Sequence, residues 1–98
     1  MATFISFISW TEQGIQTFRD TLERGAAFGK LCEQRGATLK DVYYCLGEYD
    51  IVGIIEAPDD ETATALLLEL GSVGNVRTKT VRAFNRDEMA AIMAKAGS

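Results

Sequence analysis

The chain contains no histidine, and that absence removes a large part of familiar active-site chemistry. Histidine-ligated haem, His-based zinc centres and Ser-His or Cys-His nucleophile pairs cannot be assembled within one such chain. Cysteine is scarce: Cys32 and Cys45 fit neither a disulfide framework nor a zinc-ligand spacing. One falls in a predicted helix and the other in a predicted strand, so both are expected as reduced, buried thiols. No run approaches the ~20 consecutive apolar residues of a membrane-crossing helix. Met1 to Ser6 lacks the basic start and long apolar core of a secretion signal, so the expected location is the cytoplasm. Positive charge is also in deficit. Ten Lys and Arg against fourteen Asp and Glu leave a net charge of −4, which argues against nucleic-acid or anionic-membrane partners. No metal or cofactor motif stands out, and neither group is expected.

What is present is a globular composition, 47% apolar and 24% charged, over 98 residues, which predicts one domain. A chain this short buries only about 60–65% of its unfolded surface, so self-association is a ready way to bury more.

The organising stretch is Gly47-Glu48-Tyr49-Asp50, which joins Val42–Leu46 to Ile51–Ile55. Two runs rich in β-branched and aromatic residues meet at a Gly-containing tetrapeptide, the pattern of a hairpin. Upstream, Thr3 to Trp10 places apolar residues on both faces of a first strand, which therefore calls for cover on both sides. Thr11-Glu12-Gln13-Gly14 reads as a loop, and Ile15 to Arg19 as an extended or one-turn lead-in. A helix is predicted from about Asp20 to Arg35, with Leu22, Ala27, Phe28, Leu31 and Cys32 as its apolar stripe. Asp20 or Thr21 serves as its cap, and Gly36 ends it. Gly25 and Gly29, four apart, each cost about 1 kcal/mol of helix propensity, a cost explained if a neighbouring element approaches that face closely. Strands follow over Thr38–Leu46 and Tyr49–Ala57. Pro58-Asp59-Asp60-Glu61 then opens a second helix that runs to Gly71. Asn75 to Phe84 is the fourth strand, and Asn85 caps a last helix through Ala96.

The order β-α-β-β-α-β plus a terminal helix predicts an α+β, ferredoxin-like antiparallel sheet. Right-handed crossovers put strands 1 and 3 in the centre and strands 2 and 4 at the edges. Helices cover one face of such a sheet. The other apolar face calls for a partner, and a dimeric α/β barrel of two facing sheets supplies it.

Ile8 to Gly14, Gly47-Glu48-Tyr49-Asp50, Glu56 to Asp60 and Leu70 to Thr78 together resemble the GYD-domain family, named for its Gly-Tyr-Asp signature. Here Glu48 stands between the Gly and the Tyr. The resemblance spans about Thr3 to Met93, and it implies a ferredoxin-like fold with dimeric α/β-barrel character and no particular reaction. Family members often carry Pro and Lys where this chain has Thr21-Leu22-Glu23, a departure that touches the helix cap. The hairpin is also similar to one in the effector-binding domain of leucine-responsive regulators. That similarity implies binding of small molecules, typically amino acids, near subunit interfaces.

Candidate ligand-binding residues are Trp10, Tyr43, Glu48, Tyr49, Asp50, Thr78, Thr80 and Arg82. Asp50 either fixes the turn through backbone N–H groups or offers a carboxylate to a ligand amine. Arg82 with Thr78 and Thr80 on one strand face suits a carboxylate or phosphate, against the plainer reading of a charged edge strand. Tyr43 and Tyr44 point to opposite faces, one into the barrel and one under the helices. Ser9 and Ser72 have no partner base, so no catalytic residue is assigned. The function expected is a homodimeric or higher homo-oligomeric module that binds or senses a small organic ligand. The alternatives are an assembly protein without a ligand, or a cofactor-independent oxygenase or isomerase using Asp50 or Tyr49, so enzyme status stays open.

Overall fold

The structure, a computed structural model, describes residues 1–97. In chain order it runs β1 (Ala2–Trp10), α1 (Glu12–Gln16), a 3₁₀ turn (Phe18–Asp20), α2 (Thr21–Gln34), β2 (Thr38–Tyr44), β3 (Ile51–Ala57), α3 (Asp60–Ser72), β4 (Val76–Ala83) and α4 (Arg86–Ala96). The sheet is antiparallel throughout, ordered β2-β3-β1-β4, so the two most apolar strands do lie in the centre.

Register assigns the faces, because residues directly opposite one another across antiparallel strands share a side. Phe4 pairs with Ile55 and Arg82, Ser6 with Gly53 and Thr80, and Ile8 with Ile51 and Thr78. These residues lie beneath the helices. Phe4, Phe28, Cys32, Ala37, Ile55, Ala57, Ala63 and Leu66 form the main core there, and Ile8, Ile51 and Val76 form a smaller one. The opposite face presents Ile5, Phe7, Val52, Ile54, Tyr43 and Val81, and Tyr43 and Val81 are 58% and 49% exposed.

Several elements differ from the sequence expectation. Thr11 to Gly14 is the capped start of α1 rather than a loop, since the Gly14 N–H donates to Thr11 Oγ1 at 3.1 Å. The buried side of α2 runs through Thr21, Phe28 and Cys32, whereas Leu22 is 70% exposed and Ala27 is exposed too. One residue is about 100° on a helix, so a stripe that starts at Thr21 turns Leu22 outward. Asp20 stands at the N-cap without a side-chain bond, while Gly36 does end the helix at φ +76°. The hairpin strands stop at Tyr44 and resume at Ile51, leaving a loop closed by Cys45 N–H donating to Asp50 O at 2.7 Å. Cys45 is exposed in that loop rather than buried in a strand, while Cys32 is fully buried.

Caps at the other helices follow the expected chemistry. Asp59 accepts from Thr62 N–H at 2.7 Å to start α3. Asn85 and Glu88 form a reciprocal capping box on α4, bonding each other's backbone N–H groups. No described residue of α4 is buried; Met89 and Met93, with Phe84 just before the helix, remain exposed. No helix among the described residues is long and apolar enough to cross a membrane.

Candidate functional site

A corner built where β1 ends positions the site. Thr11 N–H donates to Asn75 O at 3.1 Å, and Thr11 Oγ1 donates to Gly74 O at 2.5 Å. Gln13 Nε2 adds bonds to Val73 O at 3.2 Å and Asn75 Oδ1 at 2.9 Å. Together these lash α1 to the loop between α3 and β4. Gly14 is pressed against that loop: a Cβ there would lie 1.9 Å from Asn75 O. Arg24 then joins α2 to the same corner, donating to Thr17 Oγ1, Gly14 O and Thr21 Oγ1 at 2.8, 3.2 and 3.1 Å.

Between this corner and the sheet lies a cavity of ≈ 270 Å³. Its ceiling is α2, with Phe28 and Leu31; its floor is Ile8, Trp10, Val42, Tyr44 and Ile51; Leu70 and Val73 close one side. The lining is overwhelmingly apolar, with Thr21, Arg24, Glu69 and Asn75 as polar members. Gly25 has a local role here, because a Cβ at that position would sit 3.2 Å from Tyr44 Oη. The glycine lets the phenol run beneath α2, which is the close approach that the pair of helix glycines called for. Gly29 faces Leu39 at an ordinary 3.8 Å.

Trp10 belongs to the wall, and its Nε1–H is buried with no acceptor among the described residues. Burying a donor without a partner costs about 1–3 kcal/mol. Its backbone is held firmly: Asp50 Oδ2 accepts the Trp10 N–H at 2.9 Å, and Asp50 N–H donates to Ile8 O at 3.0 Å. Asp50 thus clasps the hairpin to the end of β1, forty residues away in sequence, a longer-range version of the backbone-fixing role.

The candidate residues fall into separate places. Trp10 and Asp50 meet at the cavity end of β1. Tyr49 lies against Phe7, ring centroids 5.0 Å apart, so with Tyr43 it belongs to the open face. Glu48 is exposed at the loop. Thr78, Thr80 and Arg82 share the helix-covered face, but Arg82 pairs with Phe4, six residues or about 20 Å along β1 from Trp10. They line a second, wider-mouthed hollow against α3 with Asp60, Thr64 and Leu67. Their polar groups have partners there. Thr80 Oγ1 and Ser6 Oγ are 2.9 Å apart, and Arg82 donates to Thr3 O at 3.2 Å and to Ala83 O. Its guanidinium also stands 4.5 Å from the Phe84 ring centroid and 3.8 Å from Glu88. Tyr44, Thr21, Arg24 and Glu69 were not legible as site residues. Only Gly25 hinted at the space beneath α2.

This arrangement is an α+β ferredoxin-like domain with a mostly apolar cavity between a helix and the sheet. The GYD-domain profile matches residues 4–93, and the chain belongs to that family. It is 34% identical over 84 residues to a Thermus thermophilus protein named glutamine synthetase and cystathionine beta-lyase binding protein, covering 85% of this chain and 88% of that one. Among solved structures, the crystal structure of a protein from Thermus thermophilus superposes at a TM-score of 0.56 with 24% identity, covering 87% of this chain and 95% of that one. A feast or famine regulatory protein from M. tuberculosis, complexed with L-methionine, superposes at 0.67 with 16% identity. There the alignment covers 87% of this chain but 51% of the regulator, so this chain spans about half its length. Both structural likenesses show a shared fold.

Proposed function

We propose that the chain is a single-domain, homo-oligomeric module of the cytoplasm that binds a small organic molecule. The observation that carries this reading is the ≈ 270 Å³ cavity walled by Trp10, whose buried indole N–H has no acceptor among the described residues. A concave apolar site with a few polar groups is the usual form of a small-molecule site. Trp10 forms its wall and Asp50 holds Trp10 in place. Tyr43 and Tyr49 belong to the contact between copies, where Ile5, Phe7, Val52 and Ile54 of one sheet meet those of a second. An apolar sheet face of this extent favours such a partner. Glu48 sits at the rim of that contact, while Thr78, Thr80 and Arg82 serve the hollow under α3.

Native mass spectrometry of the purified protein tests the reading. A dimer or its multiple carrying a reproducible extra mass is the expected spectrum, and a bare monomer at every concentration would sink it.

A second reading, docking onto a metabolic enzyme, is favoured by the name of the Thermus thermophilus relative. The exposed Phe84, Met89 and Met93 offer an apolar surface suited to it. Sedimentation with purified glutamine synthetase separates the two, since a docking protein co-sediments and a pure ligand sensor does not.

A further inference from the structure

The open face of the sheet carries its charges unevenly. Two successive rows cross it, Asp41-Ile54-Ile5-Val81 and Tyr43-Val52-Phe7-Lys79, each read from β2 through β3 and β1 to β4. The middle of both rows is apolar, and the ends are not. On the β4 side Arg77, opposite Ser9, joins Lys79, and the strand holds no acidic residue. The β2 side offers the Asp41 carboxylate and the Tyr43 ring, both exposed. Lys40, the extra residue where β2 slips register between Leu39 and Asp41, is the one cation of that strand. Glu56 stands farther along β3, opposite Thr3.

Two identical sheets packed face to face about a two-fold axis can meet in two ways. An axis across the strands sets each β4 over its own copy, so Arg77 and Lys79 meet a second strand of the same positive charge, which repels. An axis along the strands sets β4 over the partner's β2 and keeps every residue at its own height, apart from the ~30° angle usual between packed sheets. Lys79 then faces Tyr43 of the partner subunit, with Asp41 of the partner subunit two residues, or about 7 Å, further along. The ring and the carboxylate both attract the ammonium. The apolar middles coincide in the same arrangement, because Phe7 and Val52 share one row and Ile5 and Ile54 the next.

We propose that a second copy of this chain seats on the open face with its strands running in the same direction, and that Lys79, set against Tyr43 and Asp41 of the partner subunit, fixes that orientation. This rests on the contact between copies in the reading above and specifies how the copies face each other. The two-fold axis makes the contact twice, so a change at Lys79 or Asp41 counts double.

Asp41→Lys and Lys79→Glu test it in the full chain, both at exposed positions. Sedimentation velocity over a dilution series reads the dissociation constant, and native mass spectrometry shows which chains pair. Each single variant turns attraction into repulsion at two places and should dimerise about tenfold more weakly than wild type at low salt. The gap should narrow in ~1 M salt, where charges a few ångströms apart are screened. An equimolar mixture of the two variants should recover the wild-type constant as a mixed dimer, because each of its contacts again joins opposite charges. The chain carrying both substitutions should recover it alone. Single variants that dimerise as wild type does overturn the proposal. So does a mixture that pairs no more tightly than its components, or Asp41→Lys pairing preferentially with wild type, the mark of an axis across the strands. Each of these results leaves the homo-oligomer standing. A wild-type chain that stays monomeric at every concentration removes the contact itself, and the homo-oligomeric part of the reading above falls with it.

Discussion

Gly14→Ala should destabilise the protein, although replacing a helical glycine with alanine normally stabilises. The new methyl would lie 1.9 Å from Asn75 O, 2.8 Å from Asn75 C and 3.1 Å from Asn75 Cα. Carbon contacts need about 3.5–4.0 Å, and every clashing atom is backbone, so no side chain can rotate away. Relief requires α1 and the loop before β4 to separate, which stretches the Thr11 N–H to Asn75 O bond of 3.1 Å and the two Gln13 bonds beside it. Overpacking of this kind costs about 1–3 kcal/mol, and losing one backbone hydrogen bond adds about 1 kcal/mol. Alanine's better helix propensity offsets about 1 kcal/mol. The net loss is about 2 kcal/mol, a fall in melting temperature on the order of 10 °C for a domain of this size. Circular dichroism melts at matched protein concentration measure it, because any self-association makes the midpoint concentration-dependent. Gly71→Ala is the internal control. It sits in α3 with open space around the would-be Cβ, so its melting temperature should stay level or rise by a few degrees. A Gly14→Ala protein as stable as wild type would refute the close approach as a constraint on this corner.

Asp50→Ala leaves the Trp10 N–H without its acceptor and should cost about 1–2 kcal/mol in urea unfolding, with Asp50→Asn losing less because an amide oxygen still accepts. Thiol labelling of the native protein at pH 8 should titrate Cys45 quickly and Cys32 only on unfolding, since burial pushes the Cys32 thiol up to about 11. Two rapidly reacting thiols would contradict the packing of α2 on the sheet. Hydrogen bonds from the Thr62 side chain and its backbone N–H hold the Asp59 carboxyl below its ordinary 3.8. A depressed folded-state value means that this stabilisation is complete above 3.8 and is lost as pH falls through the lower, folded value. Asp59→Ala should therefore be less stable than wild type at neutral pH and match it at about pH 2, measured by urea titrations at both.

Much of the architecture is local chemistry and was legible for that reason. Asp59 and Asn85 cap helices through bonds to residues three positions on, and Gly36 ends α2 where an αL backbone is needed. The strand pattern also carried the strand order, because the most apolar strands must be the ones with neighbours on both edges. The errors share a different cause. The cap that Thr11 makes on α1 is local, but the partners that fix that helix in place, Gly74 O and Asn75 O, stand 63 and 64 residues along the chain. Leu22 reads as core by its nature, yet the helix is turned so that Thr21 faces inward on the same side as Phe28 and Cys32, which pack into the main core.

The candidate site divides the same way. Alternation along a strand told which residues share a face: Tyr43 with its neighbours on one side, Tyr44 on the other, and Thr78, Thr80 and Arg82 together. Period-two geometry is a property of the backbone, so the sequence by itself determined those groupings, the caps of α3 and α4 and the order of the four strands and the longer helices. It could not say that Trp10 and Arg82 lie at opposite ends of the sheet, that Asp50 holds Trp10, or that Gly25 opens room for Tyr44 beneath α2. Those facts depend on pairing register and on how far the helix stands off the sheet. Both are set by contacts between residues far apart in the chain, so only the tertiary structure decided them.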